Sequence, residues 1–208
     1  MKIIMFLVVV FLICGQAIAQ GGGEIRLSYS KYDGVGTCGA ALIQVPTSNT
    51  ETEVRVLTAA HCVDPGRHVG KPISAEFSVN GRTWIKLNIN NVSMNNQYDI
   101  ALLTPTGRIS PSSAQPVIPT FRNPEGARYA GPATNCTGQL QRIANAKNQM
   151  VLAARCDRTL EQGHSGSPLQ VAGTNIVTGV VTKQVADQGD GINTGFSPVD
   201  MTIIAAML

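Results

Sequence analysis

The sequence predicts an all-β fold from its composition and its hydrophobic pattern. Only 14% of the 208 residues are charged and 21 are glycine, which suits short strands and tight turns better than amphipathic helices. Short apolar runs recur along the chain and are separated by Gly, Asn and Asp, as they are in a β-barrel. Only the segment 199–208 has a convincing helical pattern.

The segment 1–19 has the features of a secretory signal peptide. Lys2 supplies a positive charge, the apolar run Ile3–Cys14 has the length of a signal core, and Ala17-Ile18-Ala19 offers the small residues that a signal peptidase reads. We expect cleavage before Gln20; an uncleaved N-terminal anchor is the alternative. The chain 20–208 is then one secreted domain, extracellular or, in a bacterium, periplasmic. No later run approaches the roughly 18 apolar residues of a membrane span, so we expect no membrane association after cleavage.

The first half of the remaining chain contains six predicted strands. Each is a short apolar or alternating run bounded by turn residues, and Asn80-Gly81 is a strong hairpin signal between two of them. The Gly-rich leader Gln20–Glu24 precedes them, and the proline-rich stretch Pro105–Pro124 follows as a connection. The predicted strands are Ile25–Ser28, Cys38–Val45, Glu53–Leu57, Ile73–Val79, Thr83–Asn88 and Ile100–Leu103.

The second half repeats this pattern of short strands and ends in the predicted helix Val199–Leu208. Glycine, Asn and Asp again separate the apolar runs at close spacing. The predicted strands are Ala133–Gln141, Gln149–Cys156, Ser167–Val171, Asn175–Lys183 and Gly191–Phe196.

Three motifs in these halves carry residues of nucleophilic catalysis. His61 lies in LTAAHC, Asp99 in YDIALL and Ser165 in GHSGSP. A serine hydroxyl becomes a good nucleophile when an imidazole takes its proton and a carboxylate holds that imidazole in the right tautomer. A lone Gly-x-Ser-Gly is usually a polar loop, but the other two motifs make a catalytic serine the better interpretation.

The order His, Asp, Ser and the three motifs resemble the trypsin/chymotrypsin-like serine endopeptidases, from about Cys38 to the C-terminus. The Ser-Gly-Ser-Pro ending of the last motif is similar to the compact glutamyl-endopeptidase-like branch. The resemblance implies two antiparallel six-stranded β-barrels with a cleft between them. The N-terminal barrel would span about 25–115, the C-terminal barrel about 125–198, and an outer helix 199–208.

The resemblance also implies the role of each residue. Ser165 would be the nucleophile, His61 the general base and then the general acid, and Asp99 the carboxylate that orients His61. The backbone N–H groups of Gly163 and Ser165 would form the oxyanion hole. Such an enzyme needs no metal and no cofactor. Its partner would be a protein or peptide substrate, a protein inhibitor is a further candidate partner, and we expect a monomer.

Four cysteines remain after signal cleavage. An even number in an exported chain favours disulfides, of which four cysteines allow three pairings. The spacings match no zinc site. The resemblance implies that Cys62 pairs with Cys38, which leaves Cys136 with Cys156.

His164 departs from the trypsin pattern, in which an Asp before the serine pairs with a new N-terminal amine. An uncharged His does not form that pair, so we predict that the trypsin activation switch is absent and that the site assembles on folding. A hydrogen bond to backbone or solvent is the ordinary role for His164, and an acid-sensing role beside the nucleophile is the alternative.

The substrate pocket is less clearly marked. Thr159 stands where trypsins have an Asp, and Val181 stands where glutamyl endopeptidases have a His. Walls formed by Thr159 and Val181 would favour a neutral side chain, whereas Lys183 would attract an acidic one.

Functions other than that of a serine endopeptidase fit the sequence less well. With a net charge of +3 and no basic run with interleaved aromatics, the chain is not expected to bind nucleic acid. A secreted protease homologue that binds partners without cutting is the main rival, and hydrolysis of non-peptide esters is another. Asn91 and Asn135 stand in glycosylation tripeptides, which matters only in a eukaryotic secretory pathway.

Overall fold

The computed structural model describes most of the strands and the site loops of the 208-residue chain. The described residues are 22–29, 32–46, 52–64, 72–78, 84–106, 118–119, 129–130, 135–144, 150–156, 163–171, 174, 176–184, 193–199 and 201–208.

Six strands of the first half close into an antiparallel barrel with the order β1-β2-β3-β6-β5-β4. A 3₁₀ turn, Ala60–Cys62, follows the third strand directly. The strands are β1 (Gly22–Tyr29), β2 (Tyr32–Pro46), β3 (Thr52–Ala59), β4 (Pro72–Ser78), β5 (Ile85–Asn95) and β6 (Ile100–Pro105).

Strands β2, β3 and β6 are buried on both faces. In β2, Ala40 and Leu42 point into the first barrel, whereas the alternating Ala41 and Ile43 belong to a second apolar cluster. Because successive side chains of a strand point to opposite faces, such burial requires a continuous apolar run. This explains why the segments 40–43 of β2 and 100–103 of β6 are apolar throughout.

The second half forms a seven-stranded sheet with the order β11-β8-β9-β10-β13-β12-β7. An additional pairing joins β11 to β12, so that six of the strands are paired in a ring and β7 adds a short parallel pairing to β12. The strands are β7 (Ile118–Pro119), β8 (Tyr129–Ala130), β9 (Asn135–Ala144), β10 (Met150–Cys156), β11 (Pro168–Val171), β12 (Ile176–Gln184) and β13 (Thr194–Pro198).

One apolar cluster joins the two halves and the C-terminal helix α1 (Met201–Ala205). Leu57 and Ile100 contribute from the first barrel, Val177 and Val180 from β12, and Ile204 from α1; all five are fully buried. Burying such side chains is worth about 1.5–3 kcal/mol each. The cluster therefore fixes the second half against β3, which ends just before His61, and β6, which begins directly after Asp99.

The structure confirms the predicted all-β class with a closed six-stranded first barrel, a curled second sheet and a short terminal helix. Several element bounds differ from the prediction, two of them near the ends of the described chain. The leader Gln20–Glu24 is in part a strand, because β1 begins at Gly22 through its pairing with β2. The helix is shorter than Val199–Leu208, because the N–H of Val199 donates to the Thr178 carbonyl at 3.0 Å and keeps that residue attached to β12.

Several predicted features lie outside the described residues. These are the signal segment 1–19, the turn Asn80-Gly81 and much of the connection Pro105–Pro124. Among the residues that the structure does describe, no helix is long and apolar enough to cross a membrane. The same part of the chain contains no cluster of three or more His, Cys, Asp or Glu side chains suited to a metal ion.

Candidate active site

His61 lies on the 3₁₀ turn that follows β3. Strand β3 pairs with β6 as far as Ala59 opposite Ile100, and the chain then turns so that Ala60 and Cys62 are buried while the His61 side chain keeps 19% of its surface exposed. The imidazole is thus held by a packed backbone and still reaches a solvent-accessible surface.

Asp99 contacts His61 through both carboxylate oxygens. Its Oδ1 accepts the backbone N–H of His61 at 2.9 Å, and its Oδ2 lies 2.7 Å from His61 Nδ1. The backbone carbonyl of Asp99 also accepts the N–H of Ala60 at 3.0 Å. Asp99 therefore engages Nδ1, and Nε2 is the ring nitrogen that this carboxylate does not contact.

The backbone of Asp99 has a φ of +52°, in the left-handed region. Asp and Asn adopt this conformation more readily than most residues other than glycine. Asp99 ends the turn between β5 and β6, and the left-handed conformation accompanies the contacts of both its carbonyl and its carboxylate with the His61 turn.

Ser165 lies in a tight loop that is bonded to the second sheet. The N–H of Gly166 donates to the Val181 carbonyl at 2.7 Å, and the N–H of Val181 donates to the Ser167 carbonyl at 2.8 Å. Within the loop, the N–H of Ser167 donates to the His164 carbonyl at 3.0 Å. These bonds extend the sheet pairing of β12 up to the serine.

Gly163 and Gly166 give the loop its shape. Their φ angles are +97° and +87°, values that L side chains rarely adopt. A Cβ on Gly166 would also collide with the Gly39 carbonyl oxygen and the Thr58 hydroxyl. The glycines of the motif therefore allow the serine loop to turn tightly and to contact the first barrel.

The carbonyl of Ser165 contacts the first barrel beside His61. It accepts the N–H of Gly39 at 2.7 Å, and Cys62 Sγ lies 3.7 Å from it. Cys62 is joined to Cys38 by a disulfide, so its sulfur has no proton and the approach is a packing contact. The backbone of Ser165 is thus held against the residue that follows His61.

The N–H groups of Gly163 and Ser165 were predicted to form an oxyanion hole. Among the backbone hydrogen bonds of the described residues, neither group is a donor. Both groups belong to the same turn around Ser165, and their role as an oxyanion hole stays a prediction.

The remaining predicted site residues have different surroundings. Thr159 lies outside the described residues. The Val181 side chain is 2% exposed and packs among Leu152, Leu169 and Phe196 in the core of the second sheet. Lys183 lies on β12, opposite Gly195 of β13.

His164 and Cys156 also lie among the described residues. His164 is half-buried next to Ser165 and has interaction partners. Cys156 is disulfide-bonded, and its register partner on β9 is Cys136, the residue with which it was predicted to pair.

Sequence reasoning missed the residues that connect the two halves of the site. Thr58 and Gly39 contact the serine loop, although neither belongs to the predicted triad. The only signal is indirect: Thr58 stands inside LTAAHC and Gly39 directly follows Cys38. Their roles depend on contacts between distant segments.

Comparison with solved structures assigns the chain to the chymotrypsin-like fold. The two β-units, which carry the candidate triad residues, had indicated the same fold. The protease Anisep from Arthrobacter nicotinovorans is similar, with a TM-score of 0.64 and 18% identity over 91% of this chain and 94% of that one. The active form of the Rv3671c protease from M. tuberculosis matches at 0.59 and 19%, over 92% and 81% of the two chains.

A third similar structure is AL20, described as a thermostable serine protease from an extremophilic microorganism. It matches with a TM-score of 0.59 and 15% identity, over 87% of this chain and 91% of that one. No protein-family model and no curated protein matches the sequence. At these identities the similarity defines the fold.

Proposed function

We propose that this protein is a secreted serine endopeptidase that uses Ser165, His61 and Asp99 as its catalytic triad. The observation that carries the proposal is the double contact of Asp99 with the backbone and the ring of His61. A carboxylate so placed holds the imidazole in one tautomer and orientation, which is its role in known triads. The attachment of the Ser165 carbonyl beside Cys62 supports the same assignment.

The proposed reaction assigns one role to each of these groups. Ser165 Oγ attacks the scissile carbonyl carbon while His61 Nε2 takes the hydroxyl proton. The new oxyanion accepts hydrogen bonds from the N–H groups of Gly163 and Ser165. His61 then gives its proton to the leaving amine, and a water molecule hydrolyses the acyl-enzyme by the same steps in reverse.

Asp99 stabilises the imidazolium that forms in both halves of this cycle. Its side chain is 33% exposed, so the carboxylate is partly hydrated as well as bonded to His61. Its two acceptor oxygens are each directed at an N–H of the same residue, which restricts rotation of the ring.

Secretion is supported by the disulfides. Cys38–Cys62 and the disulfide-bonded Cys156 suit an oxidising compartment, and such bonds are rare in the reducing cytosol. The segment 1–19 supplies a signal for export. The similar structures are those of proteases, which favours a protein or peptide substrate for this chain.

We propose a preference for a neutral side chain at the residue before the cleaved bond. The uncharged Thr159 favours such a side chain over a charged one, whereas Val181 is buried in the core of the second sheet and does not support a role in the pocket. If Lys183 determined specificity instead, an acidic residue would be preferred at that position.

Cleavage of a peptide library tests the activity and the pocket together. The secreted wild-type protein and Ser165→Ala are incubated with the library, and the products are identified by mass spectrometry. The proposal predicts cleavage after neutral residues by the wild type and none by the variant. Intact peptides with a folded wild-type protein would contradict it and favour a binding homologue.

A further inference from the structure

The side chain of Thr58 is fully buried at the end of β3, three positions before His61. Its hydroxyl donates to the Gly39 carbonyl of the neighbouring strand β2 at 2.8 Å. Thr58 and Gly39 are separated by 19 positions, so this bond joins two strands through a side chain. A buried hydroxyl with a partner of this kind fixes the backbone that it contacts.

Gly39 transmits that constraint to the nucleophile. While its carbonyl accepts from Thr58, its N–H donates to the carbonyl of Ser165 at 2.7 Å. The N–H and the carbonyl of Gly39 flank the same Cα atom, so a shift of one group displaces the other. Thr58 is thereby connected to Ser165 through a single residue.

The hydroxyl also contacts the serine loop directly. A Cβ on Gly166 would overlap Thr58 Oγ1 and the Gly39 carbonyl oxygen, which places the Gly166 backbone against both atoms. Gly39 in turn packs on Ser167 so closely that a side chain there would strike it. The Thr58 hydroxyl therefore lies where β2, β3 and the Ser165 loop meet.

We propose that Thr58 is a positioning residue that sets the place of Ser165 relative to His61. This inference rests on the proposed peptidase function. Strand β3 carries both the hydroxyl and, through the next turn, the imidazole, so one rigid element fixes the base and the nucleophile loop together. Small displacements between reacting groups cost rate far more than they cost substrate binding.

Removal of the hydroxyl tests the inference. In Thr58→Val the β-branched shape stays and the donor is lost; Thr58→Ala removes the donor without adding a methyl group against Gly166. We expect kcat to fall about tenfold or more in both variants, with KM changed less than about threefold. Thr58→Ser keeps the hydroxyl and should retain kcat within about threefold of the wild type.

Thr178→Val is the matched control. Thr178 is equally buried, on β12, and its hydroxyl donates to the Leu169 carbonyl at 3.3 Å. This bond lies within the second sheet and contacts neither Gly39 nor Ser165. Loss of the Thr178 hydrogen bond should lower the midpoint temperature of thermal unfolding about as much as Thr58→Val does. The kcat of Thr178→Val should stay within about threefold of the wild-type value.

The exchange rate of the Gly39 amide hydrogen, measured by NMR, gives a readout that needs no activity. It should rise at least about tenfold in Thr58→Val and Thr58→Ala, and it should stay near the wild-type rate in Thr178→Val. Equal kcat and equal Gly39 exchange in Thr58→Val and the wild type would overturn the inference. An inactive wild-type protein would refute only the peptidase function. The Gly39 amide exchange rates of the wild type and the variants would still decide whether Thr58 holds the contact between Gly39 and Ser165.

Discussion

Asp99 binds His61 at two points, the backbone N–H at 2.9 Å and the ring Nδ1 at 2.7 Å. A single carboxylate therefore determines both where the turn carrying the imidazole lies and how the ring is rotated. The left-handed backbone of Asp99 accompanies this arrangement. Residues in uncommon conformations are retained where the surrounding contacts require them, and they cluster at functional sites.

Asp99→Asn should abolish most of the activity while leaving the fold intact. Asn tolerates the left-handed conformation, but its amide has only one oxygen to accept the two His61 contacts, so the ring loses its orientation. We expect kcat to fall about 10,000-fold, measured on a cleaved library peptide. Glu53→Gln is the control, since that exposed carboxylate pairs only with Arg55 on the same strand. An Asn variant within tenfold of wild-type kcat would exclude an essential role for the carboxylate.

Alanine at the two loop glycines should have unequal effects on stability. At Gly163 the nearest atom to an added Cβ is 3.7 Å away, so the cost is backbone strain of about 1–3 kcal/mol. At Gly166 the added atom also strikes backbone and the Thr58 hydroxyl, so we expect a loss above about 4 kcal/mol or failure to fold. Chemical denaturation measures both. Equal losses would show that the loop does not pack against the first barrel as described.

Loss of the Cys38–Cys62 disulfide should affect both stability and activity. The bond closes a loop with a sequence separation of 24, for which the chain-entropy relation gives about 3.5 kcal/mol. Since Cys62 Sγ also packs 3.7 Å from the Ser165 carbonyl, the double variant Cys38→Ala, Cys62→Ala should lose kcat as well. Thermal unfolding and peptide hydrolysis test this. A double variant with wild-type kcat would mean that the sulfur contact does not position Ser165.

Gln170→Met should stabilise the protein. The side chain is 4% exposed, and its Nε2 is the one buried side-chain nitrogen or oxygen without a hydrogen-bond partner among the described residues. An unpaired buried polar group costs about 1–3 kcal/mol, so an apolar side chain of similar length should recover about 1 kcal/mol or more. Gln97→Met, at an exposed turn position, is the control and should change stability by less than about 0.5 kcal/mol. A destabilised Gln170→Met would show that the amide is satisfied in solution.

Much of the fold could be predicted because its central strands carry local signals. The inner segments of strands β2 and β6, residues 40–43 and 100–103, face one apolar cluster on each side, so their sequences are continuous apolar runs. The start of β1 lacked such a signal. Gly22 and Gly23 have no side-chain pattern, and their extended conformation comes from pairing with Ala40 and Ala41.

The later part of β5 was also missed for a physical reason. The prediction ended at Asn88, whereas the strand continues to Asn95 through a polar and partly exposed run. Its backbone pairs there with β6, from Ile89 opposite Pro105 to Asn95 opposite Ile100. Tertiary pairing of this kind overrides the weak β propensity of asparagine.

The residues of the candidate site also fall into those that the sequence indicates and those that it does not indicate. The sequence could indicate His61, Asp99 and Ser165 as candidates because each lies in a motif whose residue types suit one chemical role. The structure joins His61 to Asp99, and the catalytic roles stay a prediction. The contacts of Thr58 and Gly39 with the serine loop could not, because they join segments that are distant in the sequence and involve backbone atoms that every residue possesses. The motifs indicate the candidate reacting groups, and the three-dimensional packing shows which contacts hold the segments that carry them.

The position of a covalent fluorophosphonate adduct tests the proposed function most directly. The wild-type protein is labelled, digested and sequenced by tandem mass spectrometry, which separates Ser165 from Ser167 within one peptide. We predict an adduct on Ser165 alone, and labelling slowed at least about 1,000-fold in His61→Ala. An adduct elsewhere, equal labelling in His61→Ala, or a folded wild-type protein that does not react would contradict the proposed triad.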